Sequence, residues 1–189
     1  RQDARDSNTL HGREVLLEKP WFLFYNLSVA PVIIVFAKAP VPGRVKSRLT
    51  PHRTRGEAAA LQRAFAADLL DRIIGIADVE LHTDVPCDDW REFPVSRKLQ
   101  LSGDLGQRML AALDDALSAG RPVAMILGSD VPSLPASHVR ELLESPADVT
   151  LGPSEDGGYW AIAARRTHPA MFRGVEWSST QALKQTGRA

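Results

Sequence analysis

Three loops and one helix start in this chain of 189 residues collect the residue types that handle phosphate. The first loop, KAPVPGRVKSRLT, spans 38–50 and carries Lys38, Arg44, Lys46 and Arg48 around Gly43. Four cations beside a glycine, which lets the backbone approach closely, can cradle a di- or triphosphate. It is not a P-loop, because Gly43-Arg44-Val45-Lys46-Ser47 imitates only the tail of that motif. On spacing alone a solvated basic loop is an equal reading. The second loop is Gly128-Ser129-Asp130-Val131-Pro132. A carboxylate placed just past an apolar run suits a hard divalent cation that bridges phosphate oxygens, with helix capping as the plainer reading. The third loop, 152–158, sets Glu155 and Asp156 before Gly157 and Gly158. Adjacent acids can complete a metal shell or act as a general base, although a tight acidic turn would read the same way. The helix start is Gly103-Asp104-Leu105-Gly106-Gln107-Arg108. Its free N–H groups could read a ribose or base, and an N-cap by Asp104 would account for the same residues.

These segments need elements to position them. The run VIIVFA over Val32–Ala37 is short, continuous and rich in β-branched residues, as a parallel strand buried on both faces would be. Leu61, Phe65 and Leu69, four apart, predict an amphipathic helix over 55–74. Strands are expected over 79–83, 123–127 and 149–151, and helices over 104–119 and 135–144. Tyr159–Ala164 follows a Gly-Gly break, so a strand running the other way is expected there. Alternating strands and helices imply an α/β domain, a three-layer sandwich around a mostly parallel Rossmann-like sheet with one antiparallel strand. In such sheets ligands bind at the carboxyl ends of the strands, which puts all four segments along one edge. Their convergence there favours the functional reading of each.

Bulk properties narrow the partners. Lys plus Arg and Asp plus Glu balance at 23 each, so no global field would hold a polyanion, and nucleic acid is not expected. Cys87 is alone and the five histidines lack ligand spacing. No disulfide framework or cysteine zinc site is expected, and a reducing compartment, the cytoplasm, fits best. The stretch 21–37 (WFLFYNLSVAPVIIVFA) is interrupted by Asn26, Ser28 and Pro31. It falls short of the roughly 20 apolar residues of a membrane span, and no span is expected. We divide the chain into an N-terminal extension, 1–30, and a single domain, 31–189. The chain opens on Arg rather than Met, so a processed or incomplete start is expected.

Five segments carry a resemblance: AKAPVPGRVKSRL (37–49), GDLGQRM (103–109), GSDVPSL (128–134), GPSEDGGYWAI (152–162) and WSST (177–180). In order and spacing they closely resemble bacterial glycosyltransferase-A-like proteins, the "selenodomain-associated transferase" family of the nucleotide-diphospho-sugar transferase superfamily. That family is similar in fold to the molybdenum-cofactor and 2-phospho-lactate guanylyltransferases. The resemblance implies a nucleotide donor (a nucleotide-sugar or nucleoside triphosphate), Mg2+ or Mn2+, and an acceptor it does not identify. A homodimer is compatible with it. It further implies that Gly43, Arg44, Lys46 and Arg48 hold donor phosphates, with Lys38 beside them. Gly103, Asp104 and Gly106 would face the nucleoside. Asp130 would bind the metal, with Asp156 as second ligand and Glu155 or Asp156 as base. Ser133 stands where the family often has an acid, and relatives usually run on to a further acidic stretch. Sugar transfer is the preferred expectation, with nucleotidyl transfer onto a phosphorylated acceptor, or a silent nucleotide-binding module, as alternatives.

Overall fold

An unbroken apolar run needs cover on both faces, and Val32–Ala37 finds it as β1, inside a six-stranded sheet. The computed structural model describes residues 29–188, so residues 1–28 of the expected N-terminal extension lie outside them. The remaining strands are β2 (Asp78–Thr83), β3 (Ser96–Leu99), β4 (Ala124–Gly128), β5 (Val149–Pro153) and β6 (Tyr159–Ala164), in the order β3-β2-β1-β4-β6-β5. β1 pairs in parallel with β2 and β4, and β2 with β3. β6 runs antiparallel to both β4 and β5, the one reversed strand expected after the Gly-Gly break.

Among the described residues four α-helices complete the layers: α1 (Arg55–Ile73), α2 (Leu105–Ser118), α3 (Ala136–Glu144) and α4 (Ala182–Thr186). α1 and α3 pack on one face through Leu69, Leu70, Ile73, Val139 and Leu142. α2 covers the other through Met109, Leu113 and Ala116, with Met171 and Phe172 beside it. α1 starts in a capping box: Thr54 Oγ1 accepts from Glu57 N, and the Glu57 carboxylate accepts from Thr54 N at 2.8 Å.

Two details depart from the sequence reading. The buried stripe of α1 is Ala58, Ala59, Gln62, Ala66, Leu69, Leu70 and Ile73, while Leu61 and Phe65 are only half-buried at its flank. Alanines let the helix lie close to the sheet, which pushes the larger side chains to the margin. β3 was not expected. Its SRKL sequence is exposed at all four positions because it is an edge strand, so it has no apolar alternation to show. The crossover that leads to it, 84–95, contains no helix. The fully buried Trp90 covers the sheet there instead, with its indole N–H donating to Arg63 O at 2.9 Å.

Candidate active site

Strand order reverses between β1 and β4, since β1 leads outward to β2 and β4 lies beside β6. The loops after β1 and β4 meet at this switch point, where a ligand crevice is expected. Lys46 adopts a left-handed backbone, φ 46° and ψ 39°. Its Nζ donates to Asp130 Oδ1 at 3.0 Å and sits 4.3 Å from the centroid of the Phe65 ring. The Lys46 side chain is 12% exposed and that of Asp130 73%, so an occluded cation faces an open carboxylate.

Two residues outside the sequence reading brace these loops, Gln62 tying the first to the second and Asp84 holding the first. Gln62, buried on α1, donates from Nε2 to Ser129 Oγ at 3.1 Å and to Lys38 O at 3.4 Å. Asp84, just past β2, accepts from Ala39 N at 2.8 Å, and its other oxygen lies 3.8 Å from the Arg44 guanidinium. A polar residue within an apolar helix stripe, and an acid at a strand's carboxyl end, were the available signals.

The expected site residues are distributed along this edge. Gly43 turns the first loop with φ +83°, a conformation that favours glycine. Lys38 is exposed, Arg44 faces Asp84, Lys46 holds Asp130, and Arg48 lines a cavity of about 580 Å³. Asp130 and Asp156 line that same cavity, whereas Glu155 is exposed and lies outside its lining. Asp104 caps α2 in a second capping box, accepting from Gln107 N at 2.8 Å. Gly103, at φ +123°, leaves room for the Gln107 side chain that completes the box. Gly106 is buried, and a Cβ there would lie 2.7 Å from Phe172 Cβ and 3.0 Å from Trp177 Cζ2. Its lack of a side chain thus packs α2 against residues 172–177.

The cavity brings in residues that the sequence reading left as strand or motif. Phe36, Ile126 and Ile162 of the sheet and Met109 of α2 form its floor. Tyr159, Trp160, Trp177, Ser178, Ser179 and Thr180 form a wall. Trp177 packs against Phe172 and, edge-on, against Tyr159, with ring centroids 5.9 and 6.4 Å apart. Gly157 pins this wall to the third loop. Its carbonyl accepts from Leu183 N at 3.0 Å, and a Cβ at Gly157 would fall 2.2 Å from the Thr180 carbonyl oxygen.

Asp156 Oδ1 accepts from the Ser154 hydroxyl and from Gly158 N, and those bonds, Ser154 first, hold its carboxyl below the usual range. A carboxylate stabilised in this way is a weaker base and a readier anion for a cation. Burial pushes the Tyr159 phenol up, against the opposing effect of its hydrogen bond with Thr186. Among the described residues no cluster of three or more His, Cys, Asp or Glu could form an all-protein metal cage. Asp130 and Asp156 on one cavity do fit Mg2+ or Mn2+ of the kind held by one or two carboxylates plus substrate phosphates.

The profile of a bacterial family described as "Uncharacterized protein conserved in bacteria (DUF2064)" matches residues 60–179. The chain belongs to that family. The first basic loop lies ahead of the segment that DUF2064 matches. This DUF2064 chain is 32% identical over 126 residues to the 2-phospho-L-lactate guanylyltransferase of Methanocella arvoryzae, covering 64% of itself and 53% of that protein. It therefore spans about half the length of this curated relative. The crystal structure of a proposed nucleotide-diphospho-sugar transferase from Desulfovibrio desulfuricans superposes with a TM-score of 0.76 at 30% identity, covering 84% of this chain and 74% of that one. The fold is that of the nucleotide-diphospho-sugar transferases, and both relatives carry transferase names. No helix among the described residues is long and apolar enough to cross a membrane.

Proposed function

We propose that this DUF2064 chain transfers a group from a nucleotide-activated donor, with sugar transfer from a nucleotide-sugar as its reaction. The observation that carries the reading is the Lys46–Asp130 pair, which joins the basic loop to the acidic loop at the sheet's switch point. Arg44, Lys46 and Arg48 bind the donor phosphates, and Asp130 and Asp156 hold Mg2+ or Mn2+ against them. The metal, when bound, supplies neutralisation of charge on the leaving phosphate. Lys46 supplies a second fixed positive charge there, aimed before the reaction starts. Asp84 and Gln62 act as positioning residues, because both hold the backbone of the first loop and Gln62 ties it to the Ser129 hydroxyl of the second. The acidic cavity rim and the Desulfovibrio structure favour sugar transfer. The second reading, nucleotidyl transfer from a nucleoside triphosphate onto a phosphorylated acceptor, is favoured by the guanylyltransferase relative and by the basic loop.

A thermal-shift screen of nucleoside di- and triphosphates and nucleotide-sugars, with and without Mn2+, tests the reading. Stabilisation by nucleotides that needs Mn2+ and disappears in Asp130→Ala is the expected result. No shift with any nucleotide would refute it. Release of nucleoside diphosphate identifies sugar transfer, and release of pyrophosphate identifies nucleotidyl transfer.

A further inference from the structure

The basic loop gives the donor a direction. Arg44 faces Asp84 on the β2 side, Lys46 sits on Asp130 at the switch point, and Arg48 lines the cavity on the β6 side. Phosphates laid along these three cations span from the β2 side to the cavity; with the nucleoside at the β2 end, the transferred group arrives at the cavity mouth, beside Asp130. The cavity beyond is left for the acceptor.

Its lining says what kind of acceptor. Phe36, Met109, Ile126 and Ile162 make an apolar floor, and the rings of Tyr159 and Trp177 stand against it. Polar groups are confined to the rim, where Ser154, Ser178 and Thr180 offer hydroxyls. Two carboxylates, Asp130 and Asp156, line the cavity, and two cations answer them: the Arg48 guanidinium in the lining and the Lys46 ammonium on Asp130. These charges balance one another, so the lining offers no excess of cations to a second phosphate, whereas a neutral ring would replace water on the apolar floor. About 580 Å³ is within the range of small-molecule sites. We propose that this cavity binds a neutral acceptor alcohol built on an apolar ring, and not a phosphorylated acceptor.

The inference rests on the nucleotide-donor reading above. In the step it implies, the acceptor oxygen forms a bond to the sugar's anomeric carbon as the bond from that carbon to the phosphate oxygen breaks. The electron pair leaves on the nucleoside diphosphate, and the hydroxyl proton passes to a phosphate oxygen of that departing group.

A matched pair of probes separates ring from charge: 2-naphthol and 2-naphthyl phosphate, titrated calorimetrically into the full chain with and without GDP, UDP and Mn2+. We expect 2-naphthol to saturate one site whether or not nucleotide is present, and the phosphate ester to bind at least ~10-fold more weakly. Met109→Trp, which fills the floor, and Thr180→Trp, which blocks the exposed rim, should each abolish naphthol binding. Both variants should keep the metal-dependent thermal shift with nucleotide, and that shift also reports that they fold. Tighter binding of the phosphate ester would overturn the proposal. Displacement of naphthol by GDP or UDP would also overturn it, and would make the cavity the nucleobase site. Nucleotide binding with no naphthol binding would overturn the acceptor class and leave the donor reading intact. Naphthol binding without any nucleotide binding would remove the donor reading, and the acceptor role with it.

Discussion

Lys46 and Asp130 form a pair whose contributions to stability and to chemistry are expected to differ. Asp130 is largely open to solvent, and an ion pair of that kind contributes on the order of 0–1 kcal/mol to folding. A preorganised charge beside a leaving phosphate contributes far more to the reaction, typically about 10²- to 10³-fold. Lys46→Met is therefore expected to shift urea denaturation by no more than ~1 kcal/mol while lowering kcat/KM by about 10²-fold or more. Comparable small losses in both measurements would make the pair a surface contact. The left-handed backbone at Lys46 belongs to the same argument, because it holds the loop in which Nζ meets both Asp130 and the Phe65 ring. Phe65 thus serves the site from the flank of α1, outside that helix's buried stripe.

At the scale of elements, the start of α2 and the third loop perform structural work that can be separated from ligand binding. Asp104→Ala removes a capping box and should cost about 1 kcal/mol in denaturant unfolding. The nucleotide dissociation constant, measured on the same variant, then reports whether Asp104 touches the donor as well; a cap alone predicts no change. Gly157 is a harder constraint. Its φ of +82° disfavours any side chain, and the space a Cβ would need is filled by the Thr180 backbone, which cannot move aside as a side chain could. Gly157→Ala is expected to destabilise by roughly 2 kcal/mol or more. Hydrogen exchange should rise across 177–183, the segment that the Gly157 carbonyl and the glycine's missing side chain hold over the cavity. Unchanged protection of those amides would show that the third loop does not anchor the wall.

Across the whole molecule, stability should carry an acid-side signature from the α2 face of the sheet. His82 is buried, stacks on Phe36, and lies 2.8 Å from a Glu80 carboxylate oxygen. Glu80 also pairs with Lys98, which reaches Asp115 on α2. Burial lowers the His82 pKa below 6.5, outweighing the support that Glu80 gives the imidazolium. The folded protein therefore binds fewer protons than the unfolded chain in this window. Stability fully present above about pH 6.5 is lost as pH falls from there toward the lower folded value. His82→Gln should flatten the pH dependence of the urea midpoint below about pH 6.5. An unchanged slope would assign that window to other groups.

Much of the architecture is legible in residue patterns alone, because burial imposes periodicity. β1 and β4 read as buried runs, the Gly-Gly break announced the reversed β6, and the glycine- and charge-rich loops fall along one sheet edge as expected. β3 was invisible because an exposed edge strand imposes no pattern. Arg44, Lys46, Arg48 and Asp130 could be singled out by their types. Their partners could not, since Lys46 and Asp130 are 84 residues apart and only the parallel pairing of β1 with β4 brings their loops together. Asp104 was open in the sequence between a cap and a ligand contact, and the cap is seen only once its hydrogen bonds are in place. The apolar cavity was beyond the sequence for the same reason. Its floor residues look like ordinary core until α2, β6 and the segment 177–180 are folded around a space they do not fill. Sequence by itself determined which chemistry the edge could attempt, since residue type sets charge and hydrogen bonding. Tertiary structure alone decided which groups meet, because proximity is a property of the folded backbone and not of chain order.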